Sequence, residues 1–294
     1  MNRILKLVLA IPALAMSSCG GNNAVPGGSG FVEATEVTVS SEAAGRIERL
    51  YFEEGDRIES GAAIVQIDTA ALSLRLGQTE ALKRVAETRI ESARIQKDKT
   101  ALDTELAVKE FDRTSTLIKA GSANQQQYDR AKNTLDQSRL AGKAAASAVE
   151  AAVADLAKIG RDIELLKKQL ADCRPSAPTG GTVVAKYVET GELAAVGKPL
   201  VKIARLDTVW VKVYLPPSDL TRIRLGGRAE VDPEDGRTEP LAGTITWISP
   251  EAEFTPKNVQ TKQARADLVY AVKISIPNVG ERLKIGMPVS VKMP

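Results

Sequence analysis

Histidine does not occur in this chain, and cysteine occurs only at Cys19 and Cys173. Without imidazole there is no histidine acid–base chemistry, and two thiols are too few for a structural zinc site. Aromatic residues make up only 4%, too little for the stacked rings that grip single-stranded nucleic acid. There is no excess of one charge either. The 294 residues carry 40 basic and 37 acidic side chains. Setting aside residues 1–18, whose charges are Arg3 and Lys6, leaves 38 and 37, a net of +1. That balance gives no electrostatic case for a nucleic-acid partner. One acidic cluster, Asp232, Glu234 and Asp235 in "DPEDG", reads as a turn. No enzymatic activity, metal or organic cofactor is expected. After the N-terminal segment no stretch approaches the roughly 20 apolar residues of a transmembrane helix.

The N-terminus has the layout of a targeting segment. Arg3 and Lys6 give a positive start, and Leu7 to Ala15 form an apolar run too short to span a bilayer. Met16-Ser17-Ser18-Cys19 and a Gly/Asn-rich stretch follow. Small residues before a cysteine resemble a bacterial lipoprotein signal. Residues 1–18 are then the signal peptide, Cys19 the acylated first residue and 19–30 a flexible tether. Cys173 is left without an intramolecular partner, as a small residue at a helix end.

The strongest signal is a phrase written twice. "YFEEGDRIESG" from Tyr51 returns as "YVETGELAAVG" from Tyr187, an offset of 136. The offset also pairs Gly45 with Gly181, Gly55 with Gly191, Gly61 with Gly197 and Ile67 with Ile203. Glycines held in register mark positions where a side chain would clash or φ must be positive. Each copy is about 25 residues, too short to bury a core alone. The two are expected to form halves of one small β-domain related by a pseudo-two-fold axis.

Residues 69–173, between the copies, contain no proline and are rich in helix formers. Asp68-Thr69 offers an N-cap, and Arg174-Pro175 ends the helical stretch. The second part has a heptad: Tyr128, Leu135, Gly142, Val149, Leu156, Ile163 and Leu170, with Ala131, Ser138, Ala145, Ala152, Ile159 and Leu166 as the companion row. The first part, Ala70 to Ile118, has a rougher seam interrupted by Lys83 and Lys97. Its second apolar row, Ile95, Leu102, Leu106 and Leu117, faces elsewhere. Lys119-Ala120-Gly121-Ser122 breaks the pattern once, which makes an antiparallel helical hairpin. From Asp207 onward short alternating strands separated by turns indicate a small barrel or sandwich, with residues 31–34 free to add a strand. Glu253 to Arg265 reads as a long loop.

The phrases "GRIERLYFEEGDRIESGAAIVQID", "APTGGTVVAKYVETGELAAVGKPLVKI" and "LKIGMPVSVKMP", split by a coiled coil behind a lipoprotein leader, resemble HlyD-type membrane fusion proteins. These are periplasmic adaptors of tripartite efflux and secretion pumps. The phrase "AEFTPKNVQTKQARADLVYAVKI" resembles adaptors serving ABC-type transporters. The resemblance implies a mixed α and β fold. It has a split lipoyl-like β-domain (35–68 and 174–206), the α-helical hairpin at 69–173 and a β-barrel at 207–294. It further implies a hexamer, an inner-membrane transporter, a TolC-type outer-membrane channel and a lipid anchor in the cell envelope, expected in the inner membrane. The family's channel-binding motif at the hairpin tip maps onto Arg113 and Leu117, and its serine position falls on Asn124. Two rivals remain. A lipoyl or biotinyl carrier needs a lysine in the turn near Asp68, where over a hundred residues of coiled coil stand instead. A structural envelope lipoprotein with no transport role fits the same composition.

Overall fold

The computed structural model describes residues 25–236, 239–254 and 268–293. In chain order the strands before the helices are β1 (Gly27–Ser40), β2 (Gly45–Leu50), β3 (Arg57–Ile58) and β4 (Val65–Ile67). The long helices α1 (Ala70–Lys119) and α2 (Gln125–Asp172) follow. Then come β5 (Gly181–Lys186), β6 (Leu193–Ala194), β7 (Pro199–Leu215), the single turn α3 (Pro217–Leu220), β8 (Arg228–Asp232) and β9 (Leu241–Ile248). The chain closes with β10 (Glu253–Phe254), β11 (Leu268–Pro277) and β12 (Pro288–Lys292). Glu253 and Phe254, read from the sequence as loop, pair with Val269 and Leu268. Residues 255–265, the rest of that expected loop, lie outside the described residues.

Residues Glu36–Arg205 form one compact unit. Its β-part is built by exchange between the two copies of the repeat. β2 pairs with β4 of its own copy and with β6 of the other; β5 pairs with β7 of its own copy and with β3 of the other. The register repeats residue for residue: Ile47 lies opposite Ile67, as Val183 lies opposite Ile203. The loop bonds repeat too. Gly55 N–H donates to the Val183 carbonyl, and Gly191 N–H to that of Ile47. Gly61 N–H donates to Ala177, and Gly197 N–H to Ser41. Each half therefore satisfies backbone groups the other leaves open, which is why neither is complete alone. The core has the same symmetry: Ile47, Phe52, Ile64, Val65 and Ile67 face Val183, Val188, Leu200, Val201 and Ile203. Each fully buried aliphatic side chain there is worth roughly 1.5–3 kcal/mol against exposure.

The repeated glycines divide into two kinds. At Gly55 and Gly191 φ is +92° and +93°, and nothing lies near a would-be Cβ; only backbone freedom requires glycine. At Gly45 and Gly181 the requirement is space. A Cβ on Gly45 would sit 2.7 Å from Ile67 Cγ2, and one on Gly181 2.9 Å from Ile203 Cγ2 and 2.5 Å from the Ala204 carbonyl oxygen.

α1 and α2 form the antiparallel hairpin, about 75 Å long at 1.5 Å per residue over the 50 residues of α1. Every heptad position of α2 is buried or half-buried, as are Leu72, Leu76, Thr79, Ala86, Ile90, Ala93, Thr100, Thr104, Ala107, Phe111, Thr114 and Ile118 of the α1 seam; Lys83 and Lys97 are exposed. The seam is narrow and partly polar: Thr104 Oγ1 donates to its own-helix Thr100 carbonyl at 2.8 Å and lies 3.2 Å from the Ser138 carbonyl on α2. Ile95, Leu102 and Leu106 are 62–69% exposed. Thr69 is the N-cap residue of α1, but its side chain makes no cap; Asp68 Oδ1 instead accepts from Ala70 N–H at 2.8 Å. At the other end Ile67 N–H donates to the Cys173 carbonyl at 2.9 Å, so the hairpin base ties directly into β4.

Cys173 is 1% exposed. Burial first, then the neighbouring Asp172 and Asp68 carboxylates, push its thiol above the ordinary cysteine value. A raised value means less thiolate at pH 8, and thiolate is the reactive form. In a Cys19→Ser chain, Cys173 is therefore expected to react with a disulfide reagent at least about 100-fold more slowly in native than in denatured protein. Equal rates would show that the base of the hairpin opens freely.

The second unit comprises the described residues up to Thr35 and those from Leu206 onward. Six strands close on themselves in the order β7–β11–β9–β8–β12–β1, with β1 returning to β7. Closure leaves no open edge in that circuit. The inside is aliphatic, from Val32, Val211, Val213, Leu215, Ile245, Ile274, Ile276, Leu283 and Val289. Asn278, just past β11, is 2% exposed. Its Nδ2 donates to the Leu206 and Leu283 carbonyls, and its Oδ1 accepts from Leu283 N–H.

Candidate functional site

The hairpin tip carries the residues singled out in the sequence. α1 ends where Gly121 takes φ +73°. Ser122 N–H donates to the Leu117 carbonyl and Gly121 N–H to that of Ile118, a glycine-terminated helix end. Just below, Phe111 and Tyr128 meet across the seam at 5.4 Å between ring centres.

Arg113 and Leu117, one helical turn apart, both line a groove of about 380 Å³ with Thr114, Ala123, Gln127 and Arg130. Arg113 Nη2 meets Glu110 Oε1 at 3.3 Å, and its side chain is 72% exposed. A guanidinium has five donors, so one such contact leaves most of them facing outward. Leu117 is 42% exposed. An apolar side chain beside an outward fork of donors is equipped to bind a protein surface.

Asn124 has a different position. It is the N-cap of α2 and is not among the residues lining the groove. Its Oδ1 accepts from Gln127 N–H at 2.9 Å, and Gln127 Oε1 accepts from Asn124 N–H at 3.0 Å. This reciprocal capping box commits the amide oxygen, so Nδ2 is the group Asn124 has left to offer a partner. The Asn124-x-x-Gln127 spacing carried that signal. Gln127 and Arg130, on the first turns of α2, also line the groove; their three-residue spacing, one position before the seam residues Tyr128 and Ala131, is the sequence signal that marks them. Cys19 lies outside the described residues.

No described helix is long and apolar enough to cross a membrane.

Known proteins resemble the chain along nearly its whole length. The model for the barrel-sandwich hybrid domain of RND membrane fusion proteins matches residues 35–205. The model for the CusB-like β-barrel domain matches residues 208–294. A UPF0194 membrane protein of Enterobacter sp. (strain 638) is 29% identical over 288 residues, covering 90% of this chain and 87% of the relative. One from Yersinia pestis is 28% identical, covering 90% and 88%. One from Acidithiobacillus ferridurans reaches 38% over a shorter stretch, 45% of this chain and 39% of that protein. Among solved structures, MacA from Actinobacillus actinomycetemcomitans superposes with a TM-score of 0.63 at 17% identity, covering 92% of this chain and 79% of that one. At that identity the likeness speaks for the fold alone.

Proposed function

The chain belongs to the RND-type membrane fusion proteins, and from that premise we propose that it is a periplasmic adaptor joining an inner-membrane transporter to a TolC-type outer-membrane channel. The observation that carries this reading is the hairpin itself. A thin coiled coil of about 75 Å, inserted into a domain closed by its two repeats, presents Arg113 and Leu117 at its far end. Such an element suits reaching a distant partner; it has no chemistry to perform. The channel packs its own helices against the tip, with Leu117 as apolar anchor and Arg113 as donor to carbonyls or carboxylates. Asn124 caps the returning helix and adds a single donor.

The transporter is ABC-type on the strength of the "AEFTPKNVQTKQARADLVYAVKI" phrase. Cys19 is acylated and holds the adaptor to the inner membrane. Copies associate, as a hexamer, through the exposed row Ile95, Leu102 and Leu106 on α1 and through the repeat domains. Mild cross-linking of the envelope, pull-down of the adaptor and mass spectrometry of what accompanies it test the whole reading. An ATP-hydrolysing transporter and an outer-membrane channel are expected together, with several adaptor copies. Neither enriched over an unrelated lipoprotein would leave the structural-lipoprotein alternative standing.

A further inference from the structure

The loop leading into β8, Thr221 to Arg228, reads "TRIRLGGR". Three of its residues, Arg222, Arg224 and Arg228, line one cavity of about 690 Å³ in the barrel unit. No acidic residue is among the described residues lining it; Ile223, Ile245 and Met293 supply apolar wall. On the same loop Leu225 projects, 65% exposed. Gly226 with φ +77° and the Gly227 N–H to Arg224 carbonyl bond fix the loop's turn. The net charge of the chain is near zero, so this is a local concentration of cations around an exposed apolar side chain.

Its place along the chain indicates what it meets. Met293, which lines the cavity, donates its N–H to the Pro26 carbonyl at 2.8 Å. Pro26 directly precedes β1, whose Gly27 pairs with Lys292. The chain therefore enters the barrel at the cavity wall. From Cys19 to Pro26 it reaches at most roughly 25 Å even when fully extended. An acyl chain on Cys19 would keep Pro26, bonded to a residue of the cavity wall, within that distance of the lipid headgroups.

We propose that the Arg222–Arg224–Arg228 cavity with Leu225 is a second membrane contact, binding anionic phospholipid headgroups beside the acyl anchor. The arginines neutralise phosphate charge, and Leu225 enters the acyl boundary. The membrane assignment rests on the lipoprotein reading of Cys19. An acidic protein segment would use the same arginines, but the short tether favours lipid.

The test uses the mature chain with Cys19→Ser, so binding cannot come from acylation. It is sedimented with vesicles of phosphatidylcholine alone and with vesicles containing phosphatidylglycerol, at low and at high salt. Binding is expected with the anionic vesicles, to weaken with salt, and to fall by on the order of tenfold or more in Arg224→Glu/Arg228→Glu. Leu225→Ala should lower it several-fold. Arg224→Gln/Arg228→Gln gives a milder second variant, and circular dichroism checks the fold of each. Equal binding to both vesicle types, or no effect of charge reversal, overturns the proposal. So does an absence of vesicle binding combined with loss of a protein partner in pull-downs of the charge-reversed chain. Fatty-acid labelling of wild type against Cys19→Ser reports separately on the anchor. Equal label there sinks the lipoprotein reading whatever the vesicles show.

Discussion

Replacing Arg113 and Leu117 together by aspartate is expected to abolish export while the protein stays folded. Leu117→Asp sets a charge where the partner must exclude water. Without compensation that costs roughly 2–4 kcal/mol, about 30- to 1000-fold in affinity for the contact. Arg113→Asp inverts the neighbouring charge and sets a carboxylate beside Glu110, with which Arg113 now pairs. On an exposed helix that clash costs only a few tenths of a kcal/mol. Circular dichroism should match wild type, because both side chains are exposed and the seam positions Thr114 and Ile118 beside them are untouched. Lys143→Asp, exposed on α2 several turns from the tip, is the control and should transport normally. Full export by a stably expressed double variant would remove the tip from the docking interface.

The second large effect is in the repeat domain, where symmetry-related positions should respond unequally. At Gly181 an added methyl meets a backbone carbonyl at 2.5 Å as well as a side chain. At Gly45 only the Ile67 Cγ2 methyl stands in the way, at 2.7 Å. The Ile67 methyl can yield only by rotating χ1 within the core, but a carbonyl held in a ladder cannot move without its strand, and Gly181 faces both obstacles. Gly181→Ala is therefore expected to destabilise by roughly 3 kcal/mol or more, and Gly45→Ala by about 1 kcal/mol. Scanning calorimetry, with the transition of this unit followed in each variant, measures both. A midpoint that falls as far for Gly45→Ala as for Gly181→Ala contradicts the argument.

Much of this architecture was legible because it is written in short-range terms. The helical seams follow from the heptad spacing, and the 136-residue offset exposes the repeat because glycine has few substitutes where φ is positive or the backbone crowds. Partner choice is another matter. Periodicity states which face of a strand is buried but not which strand lies beside it, so the exchange of β3 and β6 between copies was hidden. The order β7–β11–β9–β8–β12–β1 was hidden for the same reason. The family motif points Asn124 at the channel, and its local chemistry, a Gln three residues on, also spells a cap. The arginine cavity went unseen because a balanced total charge conceals a local cluster.

The reciprocal bonding of the two repeats also dictates a chronology. The bonds joining Ser41 to Gly197 and Ala62 to Ala177 cannot form until the second copy has left the ribosome, long after the first. Until then the first copy is an unpartnered fragment with half a core. The intervening helices pack mainly against each other and meet the repeat core only at their base, through Leu72 and Cys173. Once they zip, the Ile67–Cys173 contact at their base brings together chain segments otherwise separated by over a hundred residues. Shortening the effective loop from about 100 residues to about five removes on the order of 2–3 kcal/mol of closure entropy from the last step. The rod that reaches outward in the finished molecule thus also shortens the path by which the domain it interrupts can close.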